Sequence, residues 1–167
     1  MENIALARPD TYVAVLTYKS VDQILREGGT QSWRADRSRL RRTGWVICAR
    51  NLHGPYSHKG ETADVEHKHA FLIGEVGEIV DADDGDGRQK ITFERYALVD
   101  GPLLIPFKGK NPVQYFDSGD LDIDLNALIW IEVDPIQEPK AVVDQAKDLV
   151  ADHFGVPPEN VRITITL

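Results

Sequence analysis

The stretch "HAFLIGEVGEIV", residues 69–80, predicts a β-strand that is longer than the average strand of a globular protein. A second strand is predicted for "RQKITFERYALVD" (88–100), and "DADDGDG" between them (81–87) has the composition of a hairpin turn. The two glycines of "GEVGE" lie inside the strand pattern, which is typical of a bulge or of close approach by another backbone. These residues therefore predict a β-hairpin.

Further elements are predicted on both sides of this hairpin. "TYVAVLTY" (11–18) is β-branched and aromatic and predicts a strand, and "GWVICARN" (44–51) predicts a buried one. "SVDQILREGG" (20–29) predicts a short helix that begins after a Ser cap and ends at two glycines. "LDIDLNALIWIEV" (121–133) predicts a turn of helix and a short strand. The fold class expected from this order is α+β.

The C-terminal part of the chain has a different pattern. "PKAVVDQAKDLVADHFG" (139–155) has apolar residues at helical spacing, and "VRITITL" (161–167) alternates as a strand does. We therefore expect a main domain over residues 1–135 and a helix–strand appendage over 136–167. A terminal strand can pair with an exposed sheet edge in its own chain or in a second copy, which would give a homodimer.

Composition limits the classes of function. The chain has 167 residues and a formal net charge of −8, which argues against indiscriminate binding to nucleic acid or membranes. Its single cysteine, Cys48, excludes a disulfide framework. The first residues lack the pattern of a signal peptide, and no run has the length of a membrane span, so the expected location is the cytoplasm.

Residues 28–51 contrast with this acidic composition, because they hold six arginines, no lysine and a single acid, Asp36. The guanidinium group grips phosphate with two parallel hydrogen bonds and stacks on aromatic rings, and Trp33 and Trp45 lie in the same stretch. The pattern favours recognition of a ligand, although a surface helix whose arginines pair with this protein's own carboxylates would also fit. The arginines are Arg34, Arg37, Arg39, Arg41, Arg42 and Arg50.

Four histidines lie within seventeen residues: His53, His58, His67 and His69. On a strand, His67 and His69 would share a face, and Glu61, Asp64 or Glu66 could add an oxygen ligand to a metal. The stretch has no HExxH or CxxC motif, and the chain has no phosphate-binding glycine loop and no nucleophile elbow. We therefore predict no metal site, no cofactor and no catalytic residues.

The order of the elements resembles the EVE branch of the PUA-like superfamily over residues 11–133. In that branch a strand and a helix lead to a Trp, an Asn- or Arg-rich segment follows, and a strand of "aFlIGev" type comes later. The Gly-Asp turn typical of that branch is missing before Gly44, and residues 139–167 have no counterpart in a minimal EVE domain. The matching stretches are "YVAVLTY", "SVDQILREGG", "SWRADRSRLRRTGWVICARN", "HAFLIGEVGEIV" and "ITFERYALVDGPLLIP".

This resemblance implies a PUA-like pseudo-β-barrel of mostly antiparallel strands with peripheral helices. It also implies a pocket between the barrel and the Trp-bearing segment. Such domains are generally thought to bind nucleic acid, often by accepting a flipped or modified base into an aromatic-lined pocket. The physical chemistry is suitable, since a base stacks on an aromatic ring while arginines hold the flanking phosphates.

The residues and the resemblance together predict a non-enzymatic module that recognises a modified or flipped base in RNA or DNA. Trp33 is expected to form a wall of the pocket and to be partly exposed, whereas Trp45 is assigned to the core. Replacement of Arg37 and Arg41 by Ala is expected to weaken the salt dependence of binding. The predicted nucleic-acid-binding residues are Trp33, Arg34, Arg37, Arg39, Arg41, Arg50, Asn51, His53, Tyr56 and His58.

Two alternatives remain open at the level of sequence. One is a small metal-dependent hydrolase or nuclease built on the four clustered histidines. The other is a protein-interaction adaptor or antitoxin that uses the acidic surface and the C-terminal appendage.

Overall fold

The computed structural model describes residues 11–53, 65–133 and 139–166. The chain divides into two compact units, Met1–Val133 and Asp134–Leu167. The first unit contains the strands β1 (Thr11–Thr17), β2 (Gly29–Trp33), β3 (Trp45–Arg50), β4 (Ala70–Asp81), β5 (Gln89–Leu98), β6 (Val113–Asp117) and β7 (Ile131–Glu132), and the helices α1 (Val21–Arg26) and α2 (Arg37–Arg41). Short 3-10 helices lie at Ser118–Asp120 and Leu125–Ala127.

Six strands form one sheet in the order β2-β5-β4-β3-β1-β6, and β7 pairs with β5. The pair β1–β3 is parallel, and the other pairs in the described residues are antiparallel. The sheet is strongly curled and forms a half-barrel with few helices. The α+β class and the mostly antiparallel pairing predicted from sequence are thus confirmed.

The predicted hairpin is present, since β4 and β5 pair antiparallel across the acidic turn. Register shifts interrupt this ladder around Val76 and Ile79, so a bulge lies at the second glycine of "GEVGE". A Cβ atom on Gly74 would lie 2.5 Å from the ring of Phe93, and one on Gly77 would lie 2.8 Å from the hydroxyl oxygen of Thr92. Both glycines are therefore required by close packing of β5 against β4.

Strand β2 was not predicted. The sequence "GTQSW" is too short and polar to indicate a strand, and the two glycines before Thr30 indicated only the end of helix α1. In the structure, β2 follows α1 directly and pairs with β5, with Thr30 opposite Ile91. This strand forms because its backbone pairs with residues about sixty positions later in the sequence, and not because its own residues favour a strand.

The core consists of two clusters, and alternate residues of the strands contribute to each. Val13 and Val15 of β1 belong to one cluster, and Tyr12 and Ala14 belong to the other. Trp45 is 7% exposed in the second cluster, which confirms its assignment to the core. The ring centroid of Trp45 lies 5.3 Å from that of Trp130.

Cys48 lies in the first cluster and is fully buried. Burial raises the pKa of its thiol to about 12. A thiol of this kind is inert at neutral pH, which agrees with the apolar run in which it occurs.

The second unit contains helix α3 (Pro139–Phe154), a left-handed Gly155 at φ +65° and a short 3-10 helix at Pro158–Asn160. Residues 161–166 pair with no strand within the described part of this chain, so the strand predicted at 161–167 does not form there. Alternating apolar and polar residues give a segment one apolar and one polar face, but a strand also needs a neighbouring strand to pair with its backbone N–H and C=O groups. The homodimer through this segment stays a prediction.

None of the helices in the described ranges combines the length and the apolar character needed to cross a bilayer.

Candidate functional site

One cleft of the first unit lies between the two ends of the curled sheet. Strands β2 and β6 are the end strands of the sheet order, and each has a single partner in it. A cleft of about 490 Å³, here called the seam cleft, is lined from both ends. Its lining comprises Leu16, Thr17, Tyr18, Lys19, Gln31, Ser32, Trp33, Asn51, Asp84, Asp86, Arg88 and Pro112.

Trp33 is directed to this cleft by a bulge. The register between β2 and β5 shifts between Gln31 and Trp33, and Ser32 between them has a φ of +72°. The Ser32 hydroxyl donates to Asp84, and Arg88 Nη1 donates to the Ser32 carbonyl at 3.0 Å, so this unusual backbone is held from the hairpin. Bulges commonly redirect a side chain at a functional site.

The Trp33 side chain is partly buried. It packs against the first core cluster and also lines the seam cleft. Its indole Nε1 donates to Thr30 Oγ1 at 2.9 Å. The ring is thus fixed by one polar contact and by the core, while part of it faces the cleft.

Several polar groups of the cleft are held by their neighbours. The Gln31 amide bonds twice with Asp83, since its Nε2 donates to the carboxylate at 3.0 Å and its Oε1 accepts from the backbone N–H at 2.9 Å. Lys19 Nζ donates to Glu27 at 2.7 Å. Burial acts to raise the pKa of Glu27, but hydrogen bonds from Lys19 and other side chains outweigh it and lower this pKa. These contacts fix the walls of the cleft.

Helix α2 presents its arginines on two faces. Asp36 caps the helix by accepting from the Arg39 N–H at 2.7 Å. The Arg39 guanidinium lies over the Tyr115 ring of β6, 3.7 Å from its centroid. Arg37 instead donates to Asp81 and to Gln89 on the β4–β5 side.

Arg34 and Arg39, here called the arginine shelf, are exposed and line a shallow depression of about 220 Å³. The rest of its lining is Ala35, Asp36, Asn111, Val113 and Tyr115, and Asp36 is the acid that caps helix α2. This depression adjoins the seam cleft, because Arg34 follows Trp33 and Asn111 precedes Pro112. Arg41 lines a different depression, beside Gly77–Val80. The arginines that lie close together in the sequence therefore point to different parts of the surface. Of the arginines of helix α2 and of the residues just before it, only Arg34 and Arg39 lie beside the seam cleft.

Arg50 was expected to contact phosphate, and its position contradicts that expectation. It is 2% exposed, and its Nη1 donates to the Lys19 carbonyl at 2.6 Å. Its guanidinium lies 3.9 Å from the centroid of the Phe71 ring. The Arg50 guanidinium donates to the backbone carbonyls of Thr17 and Lys19, so it holds the end of β1, which lines the cleft. Because it is buried, it is not accessible to a ligand.

Of the remaining predicted residues, Asn51 lines the seam cleft and its Oδ1 accepts from the His53 N–H at 3.1 Å. His53 itself is exposed, and its ring meets that of His67 edge to face with centroids 4.1 Å apart. Tyr56 and His58 lie outside the described residues.

The structure also bears on the histidine cluster. His67 Nδ1 accepts from the Leu52 N–H at 3.1 Å. Burial, followed by repulsion from His53 and Lys68, lowers the pKa of His67. Within ranges 11–53, 65–133 and 139–166, no three side chains of His, Cys, Asp or Glu are grouped as a metal site would need. His58, Glu61 and Asp64 lie outside those ranges.

The sequence predicted two of the twelve residues that line the cleft, Trp33 and Asn51. The acidic stretch 81–87 was interpreted as a hairpin turn, which is correct, but nothing local showed that it lies beside Trp33. That proximity follows from the pairing of β2 with β5. The missed polar or aromatic residues are Thr17, Tyr18, Lys19, Gln31, Ser32, Asp84, Asp86 and Arg88.

A comparison of the chain with models of protein families finds no match, and a comparison with curated proteins finds none either.

Proposed function

We propose that this protein is a non-enzymatic nucleic-acid-binding module in which the seam cleft accepts one extruded or modified base. The observation that carries the proposal is the position of Trp33, which lines a cleft of about 490 Å³ directly beside two exposed arginines. That volume falls within the range of about 300–1,000 Å³ usual for small-molecule sites.

Trp33 would supply most of the affinity for the base. Stacking of a base on an aromatic side chain is worth about 1–3 kcal/mol. Extrusion of a base from a duplex costs a few kcal/mol, and less for a modified or unpaired base. Stacking can therefore offset extrusion, and a single-stranded ligand avoids that cost.

The arginine shelf would bind the phosphates next to the base. Arg34 and Arg39 are exposed, and the depression they line continues from the cleft. Arg39 keeps its N–H edges available while its face stacks on Tyr115. The resemblance to EVE domains supports the same interpretation, since base recognition in those domains also involves an aromatic pocket.

The test is the affinity of Trp33 variants for single-stranded RNA and DNA at low salt, measured by fluorescence anisotropy of labelled oligonucleotides. We expect Trp33→Ala to weaken binding at least tenfold, about 1.4 kcal/mol, and Trp33→Phe to retain most of it, because a phenyl ring still stacks. Trp33 also packs on the core, so affinities are expressed per folded molecule from parallel unfolding curves.

The matched control is Trp130→Phe, which changes a tryptophan that packs on the second core cluster. Its affinity should equal that of the unmodified protein. Equal binding by Trp33→Ala and the unmodified protein would reject the cleft as the site, and absence of binding to every oligonucleotide would reject the function.

A further inference from the structure

We infer that the seam cleft selects bases that carry an exocyclic amino group, namely adenine, cytosine and guanine, over uracil and thymine. Asp86 is the main specificity-determining residue, and Asp84 supports it. This inference rests on the proposed function. It specifies which hydrogen-bonding groups of the base the cleft recognises.

Several polar side chains of the cleft are already engaged within the protein. Both ends of the Gln31 amide bond to Asp83, and Asn51 Oδ1 accepts from His53. Lys19 Nζ pairs with Glu27. The amide side chains that most often read base edges are therefore committed to holding the walls.

Two carboxylates remain available to a ligand. Asp86 lines the cleft, is exposed and has no hydrogen-bond partner within the described residues. Asp84 uses Oδ2 to accept from Ser32, which leaves Oδ1. Arg88 donates one N–H to the Ser32 carbonyl and keeps its other N–H groups.

The backbone supports the same location. Three non-glycine residues in the described ranges have a positive φ, namely Ser32, Lys68 and Asp86, and two of these line the seam cleft. Such a conformation is costly for Ser32, whereas an aspartate in a turn adopts it readily. At Ser32 the cost is offset by contacts from Asp84 and Arg88, and these contacts also fix the hairpin against β2.

An ionised carboxylate only accepts hydrogen bonds. The exocyclic amino groups of adenine, cytosine and guanine each offer two N–H donors, so these bases can donate a hydrogen bond to the carboxylate. Uracil and thymine flank their one ring N–H with two carbonyl oxygens, and a carboxylate repels both. A base that leaves the carboxylate desolvated and unpaired loses affinity.

The two carboxylates do not conflict with phosphate binding, because the arginine shelf lies in the neighbouring depression. Lys19 and Arg88 line the seam cleft itself, where Lys19 pairs with Glu27 and Arg88 donates to the Ser32 carbonyl. The arginine shelf lies with Asn111 and Tyr115, whereas Asp84 and Asp86 belong to the hairpin turn. The base edge would meet the acids while the backbone of the ligand follows the arginines.

The experiment uses short single strands in which one base is flanked by abasic nucleotides, so that the base in the cleft is defined. Adenine, cytosine, guanine, uracil and thymine are compared by anisotropy with the unmodified chain, with Asp86→Asn and with Asp122→Asn. Asn tolerates a positive φ, so Asp86→Asn preserves the turn. Asp122 is an exposed acid that does not line the cleft, and its variant makes the same change of charge.

We expect each amino-bearing base to bind at least about fivefold more tightly than uracil or thymine, at the low end of what a wrong base costs. Asp86→Asn should reduce that ratio below about twofold, since its amide also donates to a carbonyl, while Asp122→Asn keeps it. Equal affinities for all five bases, or an unchanged ratio in Asp86→Asn, would overturn the inference and leave base binding intact. Failure of every strand to bind would instead overturn the proposed function, and this inference with it.

Discussion

Arg39 and Arg50 belong to one arginine-rich stretch, and burial gives them different roles. Arg39 is exposed and stacks on Tyr115 at the surface, where its charge can reach a ligand. Arg50 is buried and donates to the carbonyl of Lys19. Its removal would leave buried acceptors unpaired, whereas removal of Arg39 would leave none.

At the same scale, His67 should make stability depend on pH. The neutral ring accepts from the Leu52 N–H at Nδ1, and its pKa is lowered by burial first and then by His53 and Lys68. The unfolded chain, in which a histidine titrates near 6.5, therefore binds more protons than the folded one below that pH. We expect the free energy of unfolding to be highest above about pH 6.5 and to fall as the pH drops through the folded pKa.

The control for this prediction is His67→Gln, which cannot be protonated. Urea unfolding curves between pH 7.5 and 4.5 should show a smaller loss of stability in the variant than in the unmodified protein. Identical pH profiles for the two proteins would contradict the assignment.

Among the elements, β2 matters most, because it carries both the bulge and Trp33. Its pairing with β5 depends on Gly29, where a Cβ atom would lie 2.2 Å from the Ile91 carbonyl oxygen. That oxygen belongs to the backbone of a central strand and cannot move without breaking the ladder. The position of the cleft wall therefore rests on the absence of one side chain.

We expect Gly29→Ala to lower the free energy of unfolding by about 1–3 kcal/mol, as is usual when a closely packed site is overfilled. Chemical denaturation with circular dichroism measures this change. Gly119→Ala is the matched control, because nothing lies within 4 Å of its added Cβ, and it should change stability by less than about 0.5 kcal/mol. Similar stabilities of the two variants would show that β2 can shift to accommodate the Cβ atom that Gly29→Ala adds, which its close packing against Ile91 argues against.

On the scale of the whole molecule, a net charge of −8 coexists with a local basic site. Electrostatic fields at physiological salt are screened over about 8–10 Å, so the arginine shelf acts on a bound phosphate largely without the rest of the chain. The four aspartates of residues 81–87 are partly neutralised within the protein, since Asp81 pairs with Arg37 and Asp83 with Lys90.

The salt dependence of binding should locate the phosphate contacts. For a single strand, each contact contributes about 0.7 to the slope of log K against log salt concentration. We expect the double variant Arg34→Ala/Arg39→Ala to reduce the magnitude of the slope by about 1.4, measured by anisotropy titrations from 50 to 200 mM salt.

The control in this case is Arg41→Ala, which removes an exposed arginine of helix α2 that lines the separate depression beside Gly77–Val80. Its slope should remain unchanged. The sequence alone selected Arg37 and Arg41 for this role, and an effect of Arg41→Ala as large as that of the double variant would restore that choice.

The sequence by itself determined the features that depend on neighbouring residues. Alternation and the turn composition of "DADDGDG" predicted the β4–β5 hairpin, and the setting of Trp45 in "GWVICA" predicted its burial. Helical spacing predicted α3. In each case local periodicity selects the element, because one face must be buried. Residues 161–166 show the limit of this reasoning, since their alternation of apolar and polar residues is not matched by a pairing strand within the described part of the chain.

Only the tertiary structure decided the seam cleft. Ser32 and Asp84 are 52 residues apart, and they meet because β2 pairs with β5 and brings the hairpin turn beside Trp33. The same long-range packing buries Arg50 and turns Arg37 towards Asp81. Such contacts are set by the curl of the whole sheet and by competition for burial, and no local run of residues encodes either of them.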